Sequence, residues 1–322
     1  MPSTSSANAL TRYGFFGPAG TFTHEALQVM LERPSHVGTP VEPVAYATVG
    51  AALTAVRAGE VAAALVPIEN SVEGGVSATL DTLTHGEPLV ISDEVLLPVR
   101  FVLCARPGTE PSAIRRILTH PHAAAQCRDW LAAHFPLAVV TEGPSTAGSA
   151  AEVADPQSTW DAAVCARAAG AMYGLTPVAE DIADNPDAVT RFVLVSRPVK
   201  PPAATGADKT TLVLFQHDDH SGALLEILDQ FASRGVNLCR IESRPTRTTL
   251  GSYCFSVDAE GHIDDARMGE AMIGLHRICQ AVIYLGSYPR ADHAQPRLLR
   301  GTSNDDYDEA RTWLDLLRFP RP

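Results

Sequence analysis

Short apolar segments alternate with Ala-rich amphipathic segments along the first two thirds of the chain. Residues 13–16, 61–66 and 162–165 have the length and apolar character of buried strands, and residues 44–46 form a shorter strand that begins after Pro43. Between such segments, residues 23–32 carry apolar side chains at helical spacing, and Thr48 is suited to cap the next helix. This alternation predicts an α/β fold in which helices cover parallel sheets.

A second series of strands and helices begins near Leu89. The apolar pattern predicts strands at residues 101–104, 114–118, 137–140 and 192–195, and a helix from Pro121 to residue 135. Two successive series predict two lobes. Because ligands of open α/β sheets bind beyond the carboxyl ends of strands, residues 67–71, which follow a predicted strand, are a candidate site segment.

The pattern changes after a Pro-rich linker. The order strand, helix, strand, strand, helix, strand within about eighty residues predicts a ferredoxin-like βαββαβ module. The predicted organisation is an α/β domain at 13–197, the linker at 198–208, the module at 209–288 and a polar tail at 289–322. In that tail, residues 304–319 have the spacing of an amphipathic helix, which either packs on a domain or a second subunit or forms a frayed end.

Charge and cysteine content limit the partners and the compartment. The net charge of −12 argues against nucleic acid, which requires clustered Lys and Arg. No apolar run approaches the roughly 20 residues that cross a bilayer, and the N-terminus lacks the apolar core of a signal peptide. Six scattered cysteines without a CxxC pair favour reduced side chains in a cytoplasmic protein.

Cofactor motifs are missing from the sequence. Neither GxGxxG after a strand nor GxxxxGK[ST] occurs, so a nucleotide cofactor is not predicted. His120 and His122 have no partner at metal-ligand spacing, and no GxSxG nucleophile motif is present. We therefore predict neither a cofactor nor a metal.

Four segments combine polar groups in ways that suit a small anionic ligand, although each also has a structural interpretation. Residues 17–21 are a Gly-rich turn before a helix, which either binds an anion or only connects the two elements. Residues 69–71 place a carboxylate, an amide and a hydroxyl together, or cap the next helix. Residues 119–126 add a hydroxyl and an amide. Residues 190–192 add a hydroxyl beside a guanidinium, which is either a local structural clamp or a site that binds an anion and offers a hydroxyl.

Taken together and in this order, the segments resemble bacterial prephenate dehydratases. The shared motifs are Gly17-Pro-Ala-Gly-Thr-Phe-Thr-His24, Val66-Pro-Ile-Glu-Asn-Ser71, His120-Pro121 with Gln126, Ser145-Thr146, and Thr190-Arg-Phe192. The C-terminal module resembles an ACT regulatory domain through Gly222-Ala-Leu-Leu225 and Glu242-Ser-Arg-Pro245. The resemblance covers roughly residues 13–288.

This resemblance implies a fold and an activity. The expected fold is a two-lobed α/β catalytic domain similar to type II periplasmic binding proteins, followed by the ferredoxin-like ACT module. The expected lyase reaction converts prephenate to phenylpyruvate, CO₂ and water, with L-phenylalanine as feedback inhibitor. The expected assembly is either a homodimer or a homotetramer built as a dimer of dimers. An arogenate dehydratase and a non-catalytic amino-acid sensor are the alternatives.

The resemblance also implies the site residues. Thr190 corresponds to the residue that is usually assigned as the proton donor to the departing hydroxyl. Arg191 either binds the prephenate dianion or holds its own loop in place. We expect Glu69 to position the substrate, and Asn70 and Gln126 to donate amide hydrogen bonds. The predicted catalytic set is Glu69, Asn70, Ser71, Thr119, Gln126, Thr190, Arg191 and Phe192. The predicted phenylalanine-binding set is Gly222, Ala223, Leu224, Leu225, Asn237, Leu238, Glu242, Ser243, Arg244 and Pro245.

Overall fold

The computed structural model describes residues 10–36, 40–217, 220–246 and 253–319. The sequence predicts that the third strand of the C-terminal module begins at Ser252, and this residue lies outside the described residues, as do residues 1–9 of the polar N-terminus. The chain divides into two compact units. The first comprises residues up to Thr79 together with Val95–Val193, and the second comprises Leu80–Glu94 together with residues from Leu194 onward.

A six-stranded sheet forms the first lobe, and its core strands occupy the order β2-β1-β3-β11-β5, with β4 pairing against β3. The strands are β1 (Thr11–Phe16), β2 (Val41–Tyr46), β3 (Ala63–Asn70), β4 (Gly74–Gly75), β5 (Val90–Pro98) and β11 (Val189–Ser196). The helices that follow its strands are α1 (Phe22–Leu31), α2 (Val49–Ala58) and α3 (Ser77–Thr84). Thr48 caps α2 by accepting the backbone N–H of Ala51, as predicted.

Two strands of the first lobe extend beyond the limits that the sequence pattern predicts. The prediction began β2 after Pro43, but the strand includes this residue, because β2 is at the sheet edge where proline's missing N–H is tolerated. The prediction also ended β3 at Val66. In the structure β3 continues through Pro67 to Asn70, so the candidate segment is the last part of the strand itself.

A five-stranded sheet with the order β10-β6-β9-β7-β8 forms the second lobe. Its strands are β6 (Phe101–Ala105), β7 (Arg116–Thr119), β8 (Val139–Glu142), β9 (Ala162–Ala166) and β10 (Thr176–Ala179). Its helices are α4 (Pro121–Gln126), α5 (Arg128–His134), α6 (Thr146–Ala154) and α7 (Arg167–Met172). The predicted single helix from Pro121 to residue 135 is wrong, because Cys127 leaves the helical conformation and separates α4 from α5.

The second sheet is mixed, not parallel throughout. β7 runs parallel to both β8 and β9, whereas β6 is antiparallel to β9 and to β10. Alternate residues of β6 pack into apolar clusters on opposite faces of this sheet, with Leu103 in one cluster and Cys104 in the other. The chain passes from the first sheet to the second after β5 and returns at β11, so two connections join the lobes.

The second unit contains the predicted βαββαβ module. Its elements are β12 (Asp208–Gln216), α8 (Ala223–Ala232), β13 (Leu238–Pro245), β14 (Tyr253–Glu260), α9 (Ala266–Ile278) and β15 (Cys279–Pro289). The strands form an antiparallel sheet with the order β13-β14-β12-β15. Apolar residues of this sheet and of both helices form one core that includes Leu212, Phe231 and Leu275. The predicted fold class is therefore confirmed.

Two details of this unit concern the helix ends. A serine is a favourable cap, so the sequence predicts that Ser221 caps α8. In the structure Gly222 occupies the N-cap position instead, with a left-handed backbone (φ 96°) and no side-chain cap. The predicted tail helix is present as α10 (Asn304–Arg318), and Ser303 and Asp306 form a reciprocal capping box at its start. In the described part of the chain, we find no helix with the length and apolar character needed to span a membrane.

Candidate active site

The end of β3 and the start of β11 are joined by a reciprocal pair of hydrogen bonds. The backbone N–H of Ser71 donates to the Val189 carbonyl over 2.9 Å, and the Val189 N–H donates to Ser71 Oγ over 3.0 Å. Two residues 118 positions apart in sequence are thereby brought side by side. Ser71, predicted as a site residue, holds the two strands in register in this arrangement.

Asn70 and Thr190 form the central polar contact of the site. Asn70 Nδ2 donates to Thr190 Oγ1 over 2.8 Å, and Thr190 is only 8% exposed. Asn70 Oδ1 accepts the backbone N–H groups of Val72 and Glu73 over 2.8 and 3.1 Å, which fixes the orientation of the amide. Because the Thr190 oxygen accepts this bond, its own proton is directed elsewhere and can be donated to a ligand.

Arg191 lies beside Glu69. Its Nη1 is 3.3 Å from Glu69 Oε2, and the arginine is 5% exposed while the glutamate side chain is 36% exposed. A buried guanidinium needs a charged or polar partner, and a carboxylate within hydrogen-bonding distance supplies one. The contact favours the interpretation of Arg191 as the residue that holds this segment together.

Gln126 reaches the same region from α4 of the second lobe. Its Nε2 donates to Glu73 Oε1 over 2.8 Å. Its Oε1 is buried and has no hydrogen-bond partner among the residues that the structure describes. The sequence suggested that Gln126 donates an amide hydrogen bond to a ligand, but the structure shows the amide donor occupied and the acceptor oxygen unpaired.

Two further predicted site residues are buried in the protein interior. Thr119 is fully buried, and its Oγ1 donates to the Val164 carbonyl over 2.7 Å across the β7–β9 pair. Phe192 is 2% exposed and is one of the largest fully enclosed side chains near the site. Both positions support the strands from which the polar residues project.

The Gly-rich turn before α1 is held by its own side chains. Thr21 caps α1 by accepting the backbone N–H of His24, and His24 Nδ1 accepts the N–H of Gly20 over 3.2 Å. Burial lowers the pKa of His24, whose ring also stacks on Phe15. Gly20 has φ 86°, and a Cβ there would lie 3.2 Å from Ala169 Cα, so glycine allows close approach to the second lobe.

The structure reveals two site residues that sequence reasoning did not select. Glu73 and His122 are joined through Glu73 Oε2 and His122 Nδ1 at 2.5 Å. Neighbouring His120 has a pKa lowered mainly by burial and also by the charge of His122. The sequence signal was the acidic side chain three residues after Asn70, in the turn that β3 and β4 enclose.

The predicted phenylalanine-binding residues lie in the second unit, and several of them are exposed. Leu225 of α8 is 69% exposed, and Ser243 and Pro245 on edge strand β13 are also exposed. Leu224 of α8 is less exposed than Leu225, at 37%. Asn237 immediately precedes β13, and Leu238 is the first residue of that strand.

Charged residues of this motif are paired. Glu242 Oε1 lies 3.6 Å from Arg244 Nη1. The Arg244 guanidinium also makes a bidentate contact with Asp81 of α3, at 2.9 and 3.0 Å from Nη2 and 3.1 Å from Nε. Gly222 and Ala223, the two smallest residue types, lie at the start of α8.

The described residues contain no grouping of three His, Cys, Asp or Glu side chains suited to a metal ion. The site is instead a set of hydroxyl, amide and paired charged groups at the ends of β3, β11 and α4. Such groups can orient an anion and transfer or hold a proton.

Comparison with known proteins identifies the family. The family model described as prephenate dehydratase matches residues 13–200. The chain belongs to the prephenate dehydratase family. The prephenate dehydratase of Mycolicibacterium vanbaalenii is 45% identical over 316 residues, which cover 96% of this chain and 98% of that protein. That of Mycobacterium tuberculosis H37Rv is 44% identical over 318 residues, covering 97% and 96%.

A solved structure of similar sequence agrees with this assignment. The crystal structure of prephenate dehydratase from Arthrobacter aurescens in complex with L-Phe has a TM-score of 0.88 and 52% sequence identity. The alignment covers 95% of this chain and 99% of that chain. The predicted family, and with it the prediction of an enzyme of the lyase class, is confirmed.

Proposed function

We propose that this enzyme removes CO₂ and water from prephenate to form phenylpyruvate, through the residues at the ends of β3 and β11. The observation that supports these roles most strongly is the hydrogen bond from Asn70 Nδ2 to Thr190 Oγ1. It leaves a buried hydroxyl with its proton free for donation. Such a group suits a reaction in which a ring hydroxyl must depart as water.

The reaction balances without a cofactor. The bond between the ring carbon and its carboxylate breaks, and the electron pair enters the ring as CO₂ leaves. The ring C–O bond then breaks on the opposite side, and the departing hydroxide takes one proton to become water. Prephenate dianion and one proton therefore give phenylpyruvate, CO₂ and water, with no net oxidation or reduction.

Thr190 is proposed to relay that proton, passing its hydroxyl proton to the departing oxygen and regaining one from solvent water. An aliphatic hydroxyl is far too weak an acid to supply a proton unaided, since effective general acids have pKa values near the working pH. It can, however, donate to the departing oxygen while its own oxygen is held by Asn70. General acid help of this kind contributes about 10²–10⁴-fold, so orientation and exclusion of water must contribute the remainder.

Glu69 and Arg191 are proposed to position the segment. An uncompensated carboxylate beside a dianionic substrate would repel it, but Arg191 lies 3.3 Å from Glu69 and offsets that charge. The deep burial of Arg191 supports a role in holding Thr190 in place. A Glu69→Gln variant that loses the acidic limb of the pH–rate profile would instead make Glu69 the acid.

We further propose that L-phenylalanine inhibits the enzyme by binding at the C-terminal module. The similar Arthrobacter protein was crystallised with L-Phe, and both motifs of this module, at Gly222 and at Glu242, include exposed residues such as Leu225 and Ser243. The ligand must bind two states of the enzyme with different affinity to inhibit it.

The proposed assembly is a homo-oligomer, a dimer or a dimer of dimers, in which phenylalanine binds between modules of two subunits. Exposed residues on edge strand β13 and on α8 support a surface that a second copy covers. The proposed location is the cytoplasm, because all six cysteines are free and five of them are buried. The domain limits 13–197 and 209–288 remain part of this proposal.

One assay tests the proposed activity. Purified protein receives prephenate or arogenate separately, and phenylpyruvate or phenylalanine is measured as product, with and without added L-phenylalanine. Turnover of prephenate alone, reduced by phenylalanine, is expected. Turnover of arogenate alone would indicate an arogenate dehydratase, and turnover of neither, with phenylalanine still bound, would indicate a non-catalytic sensor.

A further inference from the structure

We propose that Glu73 is a positioning residue that joins the two lobes of the catalytic unit and sets the orientation of the Gln126 amide. The inference rests on the proposed function and extends it to a side chain outside the predicted site. It follows from the turn that carries Glu73, from the two partners of its carboxylate and from the unpaired oxygen of Gln126.

The turn between β3 and β4 is fixed to the first lobe. The N–H groups of Val72 and Glu73 both donate to Asn70 Oδ1, while Ser71 is bound in both directions to Val189 of β11. Four hydrogen bonds therefore hold the backbone on which Glu73 is mounted. The same Asn70 side chain contacts Thr190, so the position of Glu73 is tied to the position of the proposed proton relay.

The Glu73 carboxylate contacts α4 of the second lobe through both of its oxygens. Oε1 accepts Gln126 Nε2 over 2.8 Å, and Oε2 lies 2.5 Å from His122 Nδ1. His122 and Gln126 are four residues apart and therefore lie on the same helix face. The Glu73 side chain is 33% exposed, so this contact lies at the partly exposed edge of the site.

The chemistry of a carboxylate then determines how Gln126 is oriented. An ionised carboxylate only accepts hydrogen bonds, so Gln126 must present its Nε2 to Glu73 and turn its Oε1 away. That Oε1 is buried and has no partner in the described part of the chain. A buried acceptor without a donor is unfavourable, and a ligand that brings a donor removes the penalty.

Prephenate offers one group that fits this oxygen. Its two carboxylates are ionised and its ketone is an acceptor, so the ring hydroxyl is its only hydrogen-bond donor. Gln126 Oε1 would accept from that hydroxyl, and Thr190 would donate to the same leaving oxygen. Glu73 would thus act on the reaction through Gln126 without touching the substrate.

The test compares Glu73→Gln and Glu73→Ala with the wild-type enzyme in prephenate turnover. The glutamine side chain has nearly the same size as glutamate but offers an amide donor, which allows Gln126 to reverse and pair through its Oε1. We expect kcat to fall between about tenfold and 10²-fold in both variants, the range for loss of positioning, with the thermal midpoint unchanged. Glu60→Gln, an exposed carboxylate in the same unit, is the matched control and should retain wild-type kinetics.

A second measurement does not depend on turnover. Hydrogen–deuterium exchange of the α4 backbone should increase in Glu73→Ala and remain at the wild-type rate in Glu60→Gln, because only the first variant frees α4. Unchanged exchange in Glu73→Ala would overturn the proposal, and so would unchanged kcat in this variant. A loss of kcat accompanied by a clear fall in the thermal midpoint would also overturn it. If the wild-type enzyme converts no prephenate, the proposed function fails, and the exchange measurement still decides whether Glu73 holds α4.

Discussion

Asn70 donates its side-chain amide to the hydroxyl of Thr190, a residue 120 positions later in the sequence, across a distance of 2.8 Å. The direction of this bond matters, because a hydroxyl that accepts from an amide can still donate its own proton. The remaining oxygen of Asn70 is occupied by two backbone N–H groups. The amide therefore cannot reverse without breaking the turn that follows β3.

This direction predicts the effect of Asn70→Asp. The introduced carboxylate would still accept from the N–H groups of Val72 and Glu73, so the turn is preserved. It would no longer donate to Thr190 and would instead accept the Thr190 proton, which removes that proton from the reaction. We expect kcat to fall by about 10²-fold with little change in thermal stability, measured by steady-state turnover and thermal unfolding. A variant with normal kcat would show that the direction of the bond is irrelevant.

The Thr190 hydroxyl is tested directly by Thr190→Val and Thr190→Ser. Valine has nearly the same shape and no hydroxyl, whereas serine retains the oxygen and loses one methyl group. We expect the valine variant to lower kcat by about 10²–10⁴-fold and the serine variant to retain most of the activity. If both variants turn over prephenate at near-normal rates, the hydroxyl has no catalytic role.

Thr119 is predicted to contribute stability and little to catalysis. Its hydroxyl donates to the Val164 carbonyl inside the second lobe and is completely buried. Thr119→Val removes this bond and should lower the free energy of unfolding by about 1 kcal/mol. Thr119→Ser keeps the donor and is the control, and both are compared by denaturant unfolding alongside kcat. A large loss of kcat in a fully folded Thr119→Val protein would return this residue to the catalytic set.

The apolar pattern predicted the order of strands and helices well, because short apolar runs bounded by Gly and Pro are strong local signals. It was wrong where tertiary position outweighs the local signal. Pro43 fits within β2 only because that strand is at a sheet edge, and Pro67 is accommodated within β3. The break at Cys127 between α4 and α5 likewise has no glycine or proline to mark it.

The site was partly predictable for a similar reason. Motif order identified the segments that contain Asn70, Gln126 and Thr190, and the structure shows that Asn70 and Thr190 are in contact. Sequence cannot give the direction of a hydrogen bond or the partner of a side chain on another lobe. The occupied amide of Gln126 and the role of Glu73 therefore follow only from the three-dimensional arrangement.

Asp81 is predicted to affect inhibition by phenylalanine. Arg244, in the proposed phenylalanine-binding motif, holds Asp81 of α3 through three hydrogen-bonding contacts. On the same helix, Thr79 Oγ1 donates to the carbonyl of Pro67, three residues before Asn70. A ligand that moves the Arg244 side chain would therefore alter its contact with Asp81 and, through that contact, the position of α3.

The variant Asp81→Asn weakens this bidentate pair without changing its size. We expect half-maximal inhibition to require about fivefold more L-phenylalanine, or greater, with Asp229→Asn, an exposed carboxylate of α8, as the control. The measurement is the inhibition curve of prephenate turnover. Identical curves for Asp81→Asn and wild type would exclude a contribution of this pair to inhibition.

His24 is predicted to make stability depend on pH. Burial lowers its pKa below the ordinary value of 6.5, so the unfolded chain binds this proton more readily than the folded one. The stabilising contribution is complete above pH 6.5 and is lost as the pH falls through the lowered value. Protonation at Nδ1 would also remove the acceptor for the N–H of Gly20, which loosens the turn before α1.

The variant His24→Asn retains a side-chain acceptor and does not titrate. When the pH is lowered from above 6.5 to below 6.5, we expect the thermal midpoint of this variant to fall less than that of the wild type. His120 also has a lowered pKa and keeps part of the dependence in both proteins. Burial raises the pKa of Glu25 above its ordinary value of 4.5, so protonation of this carboxyl at low pH favours the folded state. The two proteins are therefore compared at pH values above the range in which Glu25 titrates. Equal shifts of the midpoint in the two proteins would show that His24 is not the titrating group.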